Sequence, residues 1–213
     1  MIMEKYILDA NLFFNMGAGL GLGNKTDEVM KNLTSYAKKL KGTVEFYMPP
    51  RVIDEFLSFF EDKNQLIIKN LLASLIIKSP DVGKANVPTQ IFYQLVDDIR
   101  QRSGRGLNIG EEEIIKAGQL MLTKKELNKK QFQIEIGSVV KGFRDRYRHA
   151  TRFGFLDSLA DLDLIILAKE IDGFLISSDE GVVYWGRVFG IKEMPPALLR
   201  KRLDDLVLLD RRE

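Results

Sequence analysis

The sequence predicts an α/β protein with a central parallel sheet, interrupted by an inserted helical subdomain. Three observations carry that prediction. Short apolar runs end in acidic or turn residues near positions 9 and 177, amphipathic helical patterns separate them, and the text past Pro88 is helical for some sixty residues. A length of 213 residues suits one elaborated domain holding an insertion.

Lys5-Tyr6-Ile7-Leu8-Asp9 is an apolar run closed by an acid, as expected of a buried parallel strand presenting Asp9 at its carboxyl end. Glycines follow at 17, 19, 21 and 23. They fail the dinucleotide-binding fingerprint, because Leu22 and Asn24 stand where its last glycine is needed, so a mobile loop is expected. Thr26 is the expected N-cap of a helix with Asp27 and Glu28 in its first turn and Val29, Leu33, Tyr36, Ala37 and Leu40 at helical spacing. Val44 to Met48 is the next strand, and Pro49-Pro50 ends it and opens a helix through Val52, Glu55, Phe56 and Phe59. A further helix is predicted over Asn64 to Ile77, before the breaks at Pro80 and Pro88.

Beyond Pro88, three stretches show helical spacing: Ile91 to Ile99, Ile114 to Leu122 and Ile136 to Tyr147. The α/β rhythm returns with a helix from about Leu156 to Glu170, a strand Phe174 to Ser177, a turn at Asp179-Glu180-Gly181 and a last helix after Pro195-Pro196. The expected organisation is therefore a discontinuous α/β domain over 1–87 and 151–195, a helical insertion over 88–150, and a C-terminal helix over 196–213.

Composition excludes several chemistries. There is no cysteine and one histidine, His149, so disulfides, thiolate catalysis, and Cys or His metal cages are ruled out, and any metal must bind oxygen. The longest strictly apolar run, Leu164 to Ala168, is far short of a membrane span, and the N-terminus lacks a signal peptide's basic and apolar regions. A cytoplasmic protein without a membrane partner is expected. The overall charge of +2 hides an asymmetry: residues 100–152 carry net +7 and residues 153–182 net −6. A basic segment beside an acidic one suggests a polyanion surface next to a cation site, although a basic stretch is also a common solvated helix face.

Four acids fall where an α/β fold gathers them. Asp9 ends the first strand and Asp179 follows a later one, and ligands of open parallel sheets sit at the carboxyl ends of strands. Asp157 and Asp161 stand four apart at a helix start and share a face if the helix includes both, whereas Asp163 points elsewhere. Glu180, beside Asp179, and Glu55 are placed to complete the pocket. Carboxylates this crowded repel one another unless a divalent cation neutralises them, and Mg²⁺ prefers hard oxygen ligands, keeps waters and acidifies one for attack on phosphorus. Each acid also has an ordinary structural reading: Ser158-Leu-Ala-Asp161 matches a capping box, Asp157 complements a helix dipole, and Asp179-Glu180-Gly181 suits a turn or helix entry.

Taken in order, Ile7-Leu8-Asp9-Ala-Asn11, Met48-Pro-Pro-Arg-Val-Ile-Asp-Glu55, Asp161 with Leu164 to Glu170, and Leu175-Ile-Ser-Ser-Asp179 resemble the four motifs of PIN-domain nucleases. More narrowly, Phe46-Tyr-Met-Pro, Phe155-Leu-Asp157-Ser-Leu-Ala-Asp161-Leu-Asp163, Ile171-Asp-Gly173 and Ser178-Asp179-Glu180-Gly181, with the helical insertion, resemble the HARP family of small prokaryotic protein-only ribonuclease P enzymes, also labelled RNA ligase partner proteins. The resemblance implies a PIN-like three-layer fold and a metal-dependent endonuclease that removes the 5′ leader of precursor tRNA. It implies catalytic acids at Asp9, Asp157, Asp161 and Asp179, with Asp163, Glu180 and Glu55 less securely placed, and metal ligands among Asp9, Asp161 and Asp179. It further implies Mg²⁺, with Mn²⁺ able to substitute, and a large homo-oligomer built through helical elements.

Arg144, Arg146, Arg148 and Arg152 supply candidate phosphate contacts, and Arg144, Arg148 and Arg152 share a helical face. A solvated flank or an oligomer interface is the alternative, and His149 reads as a surface or phosphate-contacting residue rather than a general base. Apolar stripes in 88–150 and in the C-terminal helix exceed what a small sheet needs to cover, which points to a dimer or a larger even-numbered assembly. Rival readings are a generic PIN-type endoribonuclease, which would not need the insertion, and a non-catalytic RNA-binding scaffold. A HAD-type phosphatase is disfavoured because Asn11 stands where its second aspartate belongs.

Overall fold

In the computed structural model, residues 3–123, 127–156 and 158–210 are described. They form two compact units, one from the residues up to Val87 together with those from Leu156 onward, the other Pro88–Phe155.

The first unit is an α/β fold on a five-stranded, all-parallel sheet of order β3-β2-β1-β4-β5: β1 (Glu4–Leu8), β2 (Val44–Met48), β3 (Ile76–Ile77), β4 (Phe174–Ile176) and β5 (Lys192–Glu193). Strand β1 is central, and its Tyr6, Ile7 and Leu8 are essentially without solvent contact. Tyr6 lies in register with Phe46 and Phe174, and its ring stacks on both at 5.8 and 5.9 Å. Helix α1 (Thr26–Lys39) joins β1 to β2 and packs on β2, while α6 (Leu159–Ile171) packs on β1 and on α7 (Glu180–Val188). Helix α6 buries Leu164 to Ala168 without a gap, as a helix packed on several sides must. Helix α2 (Pro50–Ser58) opens with proline at the carboxyl end of β2, α3 (Leu66–Leu72) follows, and α8 (Pro196–Asp210) is the last described element. Arg202 of α8 forms an ion pair with Glu4 of β1, and Glu4 also accepts a hydrogen bond from the Tyr6 hydroxyl.

The second unit is a helical hairpin of α4 (Gln90–Thr123) and α5 (Lys129–Arg152), so the three helical stretches of the sequence become two long helices. At 1.5 Å per residue α4 is about 50 Å long. Asn128 and Gln131 close a capping box at the start of α5, and Gly106 lets the Tyr147 ring approach where a β-carbon would stand 2.8 Å from it. At the open end Arg102 donates to the carbonyls of Phe153 and Gly154, and its guanidinium lies over the Phe155 ring.

Several local expectations change. Lys25, not Thr26, occupies the N-cap of α1 and makes no side-chain cap, so Thr26 is already helical. The helix predicted to Ile77 stops at Leu72, and Ile76 and Ile77 pair with Tyr47 and Met48 as an edge strand. The glycine segment read as a mobile loop is anchored instead, with Leu20 and Leu22 buried, the Leu22 carbonyl accepting from Asn32 and the Gly21 carbonyl accepting from Arg200. Of the turn and the helix entry expected at Asp179-Glu180-Gly181, the structure forms the helix entry, with Asp179 as the N-cap of α7.

Candidate active site

Strand β1 ends at Leu8, and Asp9 just beyond it caps a short 3-10 turn, Ala10–Phe13. Its side chain is 3% exposed. Asp9 Oδ1 accepts from the Asn11 amide at 3.1 Å, and Oδ2 accepts from the Ser177 hydroxyl at 2.5 Å. Ser177 Oγ in turn accepts from the Asp179 amide at 3.0 Å, so one hydroxyl, 168 positions from Asp9, ties the two acids together. This follows from the sheet: β1 and β4 are adjacent and parallel, and Asp9 continues the pairing by donating its amide to the Ile176 carbonyl. The residues just past both strands therefore meet at the carboxyl edge.

Asp179 is exposed and caps α7, its Oδ1 accepting from the Gly181 and Val182 amides at 2.8 and 3.0 Å, which leaves Oδ2 outside the cap. Burial is the main reason the Asp9 carboxyl is held above its ordinary range; the Ser177 and Asn11 hydrogen bonds oppose this and the Asp179 charge adds to it. Glu55, on α2, is likewise pushed up, first by partial desolvation and then by the charge of Asp9. The structure thus brings Asp9, Asp179 and Glu55 into one electrostatic cluster.

Asp161 lies in the first turn of α6, half-buried, with its amide donating to Ser158 Oγ at 3.4 Å. That turn is at the same edge, because Asp163, two residues on, is reached from the start of α2: Arg51 Nη1 contacts Asp163 Oδ2 at 2.6 Å. Asp163 is buried and paired with Arg51. Helix α6 begins at Leu159, after the Ser158 cap, so the argument that Asp157 and Asp161 share a helical face does not apply. Asp157 itself lies outside the described residues. Glu180, exposed at the start of α7, lines a neighbouring cavity.

Sequence reasoning missed Ser177 and Arg51. Ser177 carried a signal, since the residue closing β4 must face the residue closing β1. Arg51 carried one too, because a cation in the first turn of a helix opposes the dipole and calls for an acidic partner. In the hairpin, Arg146 bridges Glu112 and Glu113 across the two helices, with Glu113 Oε1 at 2.8 Å, so this arginine secures the hairpin. Arg144 and Arg148 are exposed on α5.

Among the described residues no three His, Asp or Glu side chains form a ready cage for a metal ion. The donor set fits Mg²⁺ nonetheless, since that ion keeps most of its waters and takes one or two carboxylates together with substrate phosphate. A carboxyl raised first by burial and then by the charge of Asp179 is the group such a cation would relieve.

A parallel sheet with acids at its carboxyl edge and a buried strand-end aspartate is the arrangement of a nuclease of the PIN class, and the family match assigns it. The PINc domain ribonuclease family matches residues 5–208, and the chain belongs to it. Within that class it is similar to proteins named RNA-free ribonuclease P. The Pyrococcus furiosus protein is 35% identical over 205 residues, covering 96% of this chain and 95% of that one. The Methanocaldococcus jannaschii protein is 34% identical over 205 residues, covering 90% and 87%. The bacterial protein of Thermodesulfovibrio yellowstonii is 31% identical over 193 residues, covering 91% and 90%. The chain is an endoribonuclease.

Proposed function

We propose that this endoribonuclease removes the 5′ leader of precursor tRNA in the cytoplasm, using Mg²⁺ held by Asp9, Asp161 and Asp179. The observation that carries the reading is the Asp9–Ser177–Asp179 linkage at the sheet edge, in a chain similar over nearly its whole length to proteins named RNA-free ribonuclease P. When bound, the cation neutralises the carboxylates and acidifies the water that attacks phosphorus. Ser177 holds the Asp9 carboxylate in one orientation, and the α7 amides fix Asp179 so that Oδ2 faces outward. Asp157 joins as a further acid and Glu55 supports Asp9. Arg51, still largely exposed while paired with Asp163, meets a phosphate of the RNA.

The organisation we assign is a discontinuous nuclease domain over 1–87 and 151–195, a hairpin insertion over 88–150 and a C-terminal helix, with the tRNA gripped by Arg144 and Arg148 of the insertion and by Arg152 just beyond it. The chain works as a homo-oligomer, because a folded RNA is recognised by shape over a surface wider than one site. The test is purified protein, precursor tRNA and Mg²⁺, with the cut mapped at both new ends. One cut at the mature 5′ end, leaving a 5′-phosphate and abolished by chelation, is expected. Scattered cuts would assign a generic PIN ribonuclease, and binding without cleavage a scaffold.

A further inference from the structure

Beside the acid cluster, between β4, α7 and the segment after β5, lies a cavity of about 350 Å³, at the small end of ligand-sized pockets. Its wall includes Ser177, whose hydroxyl is bonded to Asp9, so the cavity adjoins the acid cluster. Leu175, Val183, Met194 and Pro195 make its lining mostly apolar, while Ser178 and Glu180 add polar groups. Tyr184 also lines it, 46% exposed, with its ring set edge-on to the buried Trp185 at 86°.

The charges say what fits. Arg187 is the cation of the cavity wall and is engaged by Glu193 through three contacts of 2.7 to 3.1 Å, which leaves the Glu180 carboxylate uncompensated by it. A phosphate would be repelled there. A flat group with apolar faces and an N–H edge would be accepted, because a carboxylate only accepts hydrogen bonds. We propose that this cavity receives one unpaired nucleobase flanking the cleaved phosphate, stacked on Tyr184, with its donor edge read by Glu180. Guanine suits it most, presenting N1–H and the 2-amino group together, and uracil least. The inference rests on the nuclease reading and names a specificity subsite for it.

Precursor tRNAs carrying each of the four bases at the two residues flanking the cut, assayed with the wild-type protein, test it. Roughly tenfold higher kcat/KM for guanine than for uracil is expected at one of the two positions. That preference should collapse in Glu180→Gln. In the cleavage-dead Asp9→Asn protein, 2-aminopurine at the same position should lose fluorescence on binding by stacking, and adding Tyr184→Leu should restore it. Cleavage at the mature end with equal rates for all bases at both positions, and no quenching at either, would overturn the subsite and leave the nuclease standing. Absence of cleavage of every substrate by the wild-type protein would overturn the nuclease reading and the subsite with it.

Discussion

Asp9 occupies an environment that an aspartate tolerates only for a purpose: buried, raised by that burial, and facing the charges of Asp179 and Glu55. Replacing it with the neutral isostere should therefore separate stability from function. Asp9→Asn is expected to abolish cleavage yet melt higher than the wild type in chelator, by about 2–4 °C for each kcal/mol of repulsion relieved. Mg²⁺ should raise the melting temperature of the wild type and not of the variant. Ser177 acts through Asp9 rather than on the RNA, so Ser177→Ala should cost about 10–100-fold in kcat and raise the Mg²⁺ concentration needed, with Ser177→Thr restoring much of both. Asp9 and Asp179 were legible in the sequence because each closes an apolar run. Ser177 and Arg51 left only weaker signals, because the partner each meets across 168 or 112 positions is set by strand order, which apolar periodicity does not encode.

At the level of elements, long periodic segments were readable and two-residue strands were not. Strand β2 runs over Val44–Met48 as expected, and α2 opens at Pro50. Ile76-Ile77 and Lys192-Glu193 are too short to show alternation, so one was absorbed into a helix and the other passed unseen. Helix α8 is tethered to the sheet by Arg202 and Glu4. Burial alone would raise the Glu4 carboxyl, but the hydrogen bonds from Arg202 and Tyr6 outweigh it and hold the group below its ordinary 4.5. A lowered folded value means the contribution is present above pH 4.5 and is lost as pH falls below it. The wild-type melting temperature should decline through that window, and Glu4→Gln should flatten the decline at a cost of about 1 kcal/mol at neutral pH, modest because Arg202 is partly exposed. On α5, Arg144→Ala with Arg148→Ala should weaken precursor tRNA binding and reduce its salt slope by about two phosphate contacts.

Across the whole molecule, the hairpin exposes more apolar surface than a monomer needs, with Tyr93, Ile114 and Leu122 at 76%, 73% and 88% exposure. Light scattering should give a mass several times 24.4 kDa, and Ile114→Lys with Leu122→Lys should lower it. A monomer of unchanged activity at assay concentration would refute that. The sheet order holds a further consequence, one that concerns the making of the protein rather than its use. Strand β1 lies between β2, which leaves the ribosome soon after it, and β4, which emerges only after some 165 further residues. Whatever structure forms earlier in synthesis, Ser177 and Asp179 reach Asp9 only when the last fifth of the given chain is being made. The half-made enzyme therefore holds an incomplete set of acids, and the RNA-rich machinery that is translating it meets no nuclease until the chain is nearly done.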